Sequence, residues 1–124
     1  MNKINLVPAH TDDRGVITDL LENKNINAVT VISFETDAVR ANHYHKETTQ
    51  WNYIISGKVK HVAKMLDGEP VEIVMEKGDF VETVPNEYHA FKALEKSEMI
   101  VFTQGPRGGK EYESDTYRLD EKLI

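Results

Sequence analysis

The chain has 124 residues, 40% of them hydrophobic and 29% charged, a size for one domain rather than two and a balance that excludes wholesale disorder. Fifteen Lys and Arg stand against 21 Asp and Glu, a net charge of −6, which argues against gripping a nucleic-acid backbone or an anionic membrane. There is no cysteine, so a disulfide framework, a thiolate zinc site and a cysteine nucleophile are all excluded. No apolar run approaches the ~18–20 residues of a membrane span, and the opening stretch lacks an apolar signal core, so a cytoplasmic protein is expected.

Short apolar stretches cut by turn residues run the length of the chain. The expected strands are Lys3–Pro8, Val16–Leu21, Asn27–Phe34, Val39–His45, Gln50–Ser56, Lys58–Leu66, Val71–Glu76, Phe80–Val84, Tyr88–Leu94 and Glu98–Gln104. Between them lie the turn signals Asp12-Asp13-Arg14-Gly15, Ser56-Gly57, Asp67-Gly68, Lys77-Gly78-Asp79 and Pro85-Asn86. Asp67-Gly68 is expected to supply the positive-φ pair of a tight two-residue hairpin. No stretch sustains a 3.6-residue apolar period. The reading is all-β: one antiparallel barrel or jelly roll over residues 1–104. Residues 105–124 read as an irregular charged tail lying on it, anchored by Tyr112, Tyr117 and Leu119.

Five histidines are present, and two of them stand out. His43 and His45 are two apart on an expected strand, so both point to one face while Tyr44 points to the other. Gln50 follows five residues after His45, and Gly57 seven after that. Downstream, Gly78, Pro85, Asn86 and His89 form a second group. His10 and His61 fit no motif and read as structural or solvent-facing. This arrangement resembles the two short motifs of the cupin superfamily. His43, His45, Gln50 and Gly57 take the first motif, with Gln50 where Glu is usual; Gly78 and His89 take the second, with Asn86 at its inner glycine. The resemblance implies a small barrel whose mouth gathers His43, His45, Gln50 and His89.

A narrower likeness extends over most of the chain. Asp12, Arg14 and Gly15, then Glu22 to Ile26, then Arg40, His43, His45, Lys46, Gln50 and Gly57, and finally the tail segment YESDTYRL are similar to the small nucleotide-sugar 3,4-ketoisomerases. Arg40-x-x-His43 is shared more loosely with the dTDP-sugar 3,5-epimerases. Ala41 stands where the ketoisomerases carry Gly, and Tyr44 where they carry a small residue. The likeness implies an isomerase acting on a nucleotide-linked 4-keto-6-deoxy sugar.

The residues allow that chemistry. A carbonyl acidifies the proton on the adjacent carbon, and histidine suits both its removal and its return. His43 and His45 are the candidate base and acid, with Arg40 on a pyrophosphate and Gln50 and His89 as further substrate contacts. No redox cofactor is expected, since the chain has no glycine-rich dinucleotide fingerprint. A second reading uses the same atoms as a metal site. His43, His45, Gln50 and His89 would then bind Mn, Fe, Ni, Zn or Cu, with Glu47 as a possible anionic substitute. A third reading is a small-ligand-binding cupin without catalysis. Trp51, Tyr53 and Ile55 form the face opposite Gln50; it is expected to look outward and to contribute to a homodimer.

Overall fold

The computed structural model describes residues 1–107 and 113–124; Tyr112, an expected anchor, lies outside them. Among the described residues twelve strands run in chain order: β1 Asn2–Ile4, β2 His10–Asp12, β3 Gly15–Ile17, β4 Ala28–Phe34, β5 Val39–Tyr44, β6 Thr49–Ser56, β7 Lys58–Lys64, β8 Val71–Glu76, β9 Phe80–Thr83, β10 Tyr88–Ala93, β11 Ser97–Gln104 and β12 Tyr117–Arg118. One five-stranded sheet has the order β1-β9-β6-β11-β4 and the other β12-β5-β10-β7-β8; β2 and β3 form a separate hairpin. Every strand pairing is antiparallel. No helix long and apolar enough to cross a membrane occurs among the described residues.

Period-two patterning drives this architecture. In β11, Ser97, Met99, Val101 and Thr103 are buried while Glu98 is exposed. In β4, Val29, Val31 and Ser33 face out, and Phe34 is buried. The inward residues of both sheets meet in one core that includes Phe34, Ile54, Val59, Met75, Val81, Phe91 and Met99. Burying one such side chain fully stabilises the fold by about 1.5–3 kcal/mol, so the core holds the two sheets face to face without any covalent link. Phe34, Phe91, Met99 and Val101 also line a cavity between the sheets, so the core supplies that cavity's apolar wall.

Turns follow the glycines in most places. Gly57 joins β6 to β7 at φ 90, and a Cβ there would stand 2.5 Å from the Lys96 carbonyl oxygen. Only glycine meets both demands. Asp67-Gly68 behaves differently from the tight hairpin expected of it. The ladder between β7 and β8 stops at Ala63 and Val71, so the connection is longer than two residues. Gly68 is not among the positive-φ residues, and its N–H bonds the Met65 carbonyl at 3.0 Å, as in an ordinary four-residue turn. The expected strand Val16–Leu21 shrinks to Gly15–Ile17, and its partner β2, written in the polar residues His10, Thr11 and Asp12, is invisible to apolar patterning.

Trp51 is a further correction. It is 2% exposed, its indole N–H donates to the Glu82 carboxylate at 3.0 Å, and the Lys24 ammonium lies 5.8 Å from its ring centre. Trp51 is therefore covered within the chain, while Tyr53 and Ile55 on the same face stay half-buried.

Candidate active site

The cavity between the two sheets has a volume of about 600 Å³. His43, His45, Gln50 and His89 all line it, and so does Arg40. His43 and His89 form a cross-strand pair of β5 and β10. Gln50 comes from the opposite sheet, where β6 aligns it with Thr83 and Thr103. The three imidazole rings are packed against one another, with centroids 4.8 Å apart for His43 and His45, 4.6 Å for His43 and His89, and 5.2 Å for His45 and His89. Tyr44 and Tyr88 turn away from the cavity and pack together, 5.0 Å between ring centres, with Tyr117 stacked on Tyr44.

A backbone irregularity in β5 aims the histidines. Ala41 and Asn42 both adopt left-handed conformations, φ 70 and 55, and the pairing register with β10 shifts there. One residue is thus absorbed without a partner, as in a β-bulge, and the strand bends. Asn42 holds the bend: its side-chain oxygen accepts the Leu123 N–H at 2.8 Å, and its amide donates to the Ile124 carbonyl at 3.2 Å. Asn86 reproduces the left-handed turn expected from its motif position, at φ 66, and its N–H bonds the His45 carbonyl.

Asp115 is the residue that sequence reasoning did not single out. It is 4% exposed and accepts from the Lys46 and Glu47 N–H groups, at 3.0 and 2.8 Å, and from the Thr48 hydroxyl at 2.7 Å. Burial alone would raise its pKa; the Thr48, Glu47 and Lys46 hydrogen bonds outweigh that and hold the carboxylate below its ordinary range. The turn so fixed leaves Glu47 exposed and outside the cavity wall, while Thr48 is buried. Glu47 is thereby removed as a substitute ligand. The tail is also less irregular than expected, since Tyr117 and Arg118 pair with Tyr44 and His43 as β12.

The hydrogen bonds fix which ring nitrogen of each histidine carries the proton. A backbone carbonyl only accepts, so His45 Nδ1, 2.9 Å from the Asp115 oxygen, and His89 Nδ1, 3.0 Å from the Glu87 oxygen, must donate. The Nε2 of His45 is buried with no protein partner among the described residues. His43 differs. Its Nδ1 lies 3.3 Å from Arg118 Nη1, which only donates, so this nitrogen accepts and the proton sits on Nε2. Burial pushes the His43 pKa down to about 2, with His89, His45 and Arg118 adding to the effect. Burial likewise pushes His89 down to about 3, helped by His45. Both rings are neutral at pH 7.

These roles bear on a metal. The three histidines each bring one ring nitrogen within 4.8 Å of the others. A metal-bound imidazole donates its other N–H to an oxygen. His45 and His89 do so; His43 does not, because Arg118 occupies the nitrogen that would have to donate. Gln50 is uncharged, and its amide donates to the Thr103 hydroxyl at 3.3 Å. So hydrogen-bonded, the set does not fit a three-imidazole metal centre.

Arg40 stands at the cavity wall with its guanidinium 5.3 Å from the Phe34 ring centre and one N–H on the Ser33 carbonyl at 3.0 Å. Arg107 and Lys122 also line the cavity, giving it several cationic groups.

The fold is shared with solved enzymes. A 3,4-ketoisomerase from Helicobacter canadensis superposes with a TM-score of 0.80 at 18% identity, covering 95% of this chain and 90% of that one. QdtA, a sugar 3,4-ketoisomerase from Thermoanaerobacterium thermosaccharolyticum solved in complex with TDP, superposes with a TM-score of 0.75 at 20% identity, covering 96% and 86%. These likenesses establish the cupin-like fold read from the motifs. Among curated proteins, the chain is 27% identical over 114 residues to UDP-2-acetamido-2,6-beta-L-arabino-hexul-4-ose reductase of Pseudomonas aeruginosa. That match covers 90% of this chain but only 31% of the reductase, so the chain spans about a third of its relative. Residues 10–117 match the polysaccharide biosynthesis C-terminal domain family, nearly the whole of the barrel and its tail, and the chain belongs to that family.

Proposed function

We propose that the protein is a sugar isomerase or epimerase that moves a proton beside the carbonyl of a nucleotide-linked 4-keto-6-deoxy sugar. The observation that carries this reading is the packed trio of His43, His45 and His89 in the cavity, with a buried Nε2 on His45 that no described residue bonds. His43 and His45 supply the base and the acid. In the first step the C–H bond beside the carbonyl breaks and its proton passes to a ring nitrogen. The electron pair becomes the double bond of an enediol as the carbonyl oxygen takes a proton from the acid. Reversal from the other face or at the neighbouring carbon gives an epimer or a shifted ketone. The step is redox-neutral and balances with two imidazoles and no further reactant.

Arg40 meets the pyrophosphate through the N–H groups that Ser33 leaves open, and Gln50 and His89 contact the sugar. The Helicobacter and Thermoanaerobacterium ketoisomerases, and a curated relative named for a UDP-linked hexul-4-ose, support this substrate class. The test is incubation with dTDP- and UDP-linked 4-keto-6-deoxyhexoses. Appearance of an isomeric keto sugar by NMR supports the reading, and unchanged substrate in every case refutes it.

The homodimer belongs to the same proposal, with its interface moved away from Trp51. β4 is an edge strand, and its Val29 and Val31 are each 62% exposed. An open edge carrying two exposed valines favours pairing with another strand, and a second copy supplies one.

A further inference from the structure

We infer that Arg118 is a positioning residue that makes the histidine trio asymmetric, designating His43 as the acid and keeping the site from acting as a three-imidazole metal centre. This rests on the proton-transfer reading above and goes beyond it by assigning the roles. Arg118 Nη1 lies 3.3 Å from His43 Nδ1, and a guanidinium is a donor under all ordinary conditions. The His43 proton is therefore held on Nε2. His45 and His89 each give their Nδ1 proton to a backbone oxygen, so Nε2 is the one nitrogen of each ring through which it can act as a base. One N–H and two lone pairs are what proton transfer requires: a base for the C–H proton and a donor for the carbonyl oxygen. Three lone pairs are what a metal would require.

The guanidinium is itself held in place. Its Nη2 donates to the Glu113 carboxylate at 2.6 Å, and Nη1 is 3.4 Å from the Ala41 carbonyl oxygen. β12 fixes it further, because Arg118 pairs with His43 in the sheet register. The tail thus reaches back over about 75 residues to set the state of one imidazole. A positive group at this position also opposes a cation approaching the trio.

The experiment reads the tautomers directly, without turnover. Long-range ¹H–¹⁵N correlation spectra of the uniformly labelled protein are to show His43 protonated on Nε2, and His45 and His89 on Nδ1. In Arg118→Met the His43 proton should move to Nδ1 in a substantial fraction of molecules, and zinc affinity by calorimetry should rise about ten-fold or more. Arg118→Lys, which keeps a donor, should retain the wild-type tautomer and the weak zinc binding. A wild-type His43 protonated on Nδ1 would overturn the inference. So would a folded Arg118→Met protein with unchanged tautomer and zinc affinity, or tight stoichiometric zinc binding by the wild type through all three histidines. If Arg118→Met does not fold, the wild-type spectrum and the Lys variant decide. Because none of these readouts needs substrate, absence of turnover would count against the proposed activity and leave this assignment standing.

Discussion

His43 and His89 face each other across the β5–β10 ladder with ring centroids 4.6 Å apart and planes at 88°. Two imidazoles that close cannot both be charged cheaply, and among the described residues no carboxylate acts on either to offset a proton. His61, fully buried and stacked on Phe91 at 4.4 Å, is held neutral in the same way, pushed down to about 3 by burial and then by His89.

A pH dependence follows. All three histidines have folded pKa values below the unfolded value of 6.5, so between about pH 6.5 and 3 the unfolded chain binds more protons. Their contribution is intact above pH 6.5 and is lost as pH falls through that window. Each group is expected to cost about 2 kcal/mol by pH 5, since one pKa unit is about 1.4 kcal/mol. Urea unfolding followed by circular dichroism should show the midpoint dropping steeply between pH 7 and pH 5. A flat midpoint over that range would show that the rings are not held neutral.

His61→Leu isolates one of these groups. Neither His61 ring nitrogen has a protein partner among the described residues, and the side chain is fully buried. An apolar replacement removes the desolvation cost, and should raise stability by about 1–2 kcal/mol at pH 7. The gain should be larger at pH 5, where the native histidine opposes folding further. Thermal melts at the two pH values measure both effects.

Ala41→Gly acts on the bulge. A left-handed Ala costs about 1–2 kcal/mol, while glycine forfeits about 0.5–1 kcal/mol of unfolded-state entropy. The first effect wins, so the variant should be more stable by roughly 0.5–1 kcal/mol. Denaturant titration gives the sign. Destabilisation would show that the Ala41 methyl group contributes more by packing than its φ of 70 costs.

Val31→Lys tests the edge. A charge on the solvent face of β4 should leave the melting temperature nearly unchanged and convert a dimer of about 28 kDa, twice the 14.2 kDa chain, to monomer in light scattering. A wild-type protein that is monomeric across micromolar concentrations would end the dimer proposal.

The sequence made the strand series and the cavity's histidines legible because both depend on short-range spacing. The two-residue period places His43 with its neighbours, and Gly57 and Asn86 mark turns that only positive φ permits. What it concealed depends on contacts made late in the chain. Asp115 and Arg118 lie 70 or more residues from the histidines they bond, and no local pattern distinguishes them from other tail charges. Trp51 misled for a related reason: alternation gives its face, but not that Lys24 and Glu82 cover it. Asp67-Gly68 misled because turn chemistry permits a two-residue hairpin without requiring the ladder to reach it.

The central claim is proton transfer at carbon by His45 and His43, and deuterium exchange tests it most directly. A dTDP- or UDP-linked 4-keto-6-deoxyhexose is incubated in deuterated water, and the ring protons beside the carbonyl are followed by NMR. Enzyme-dependent loss of one of those signals is expected. His45→Asn, folded by circular dichroism, should slow it by roughly 10²–10⁴-fold, the usual contribution of a general base. Exchange at the wild-type rate in folded His45→Asn, or no exchange with any such sugar in the wild type, would contradict the account.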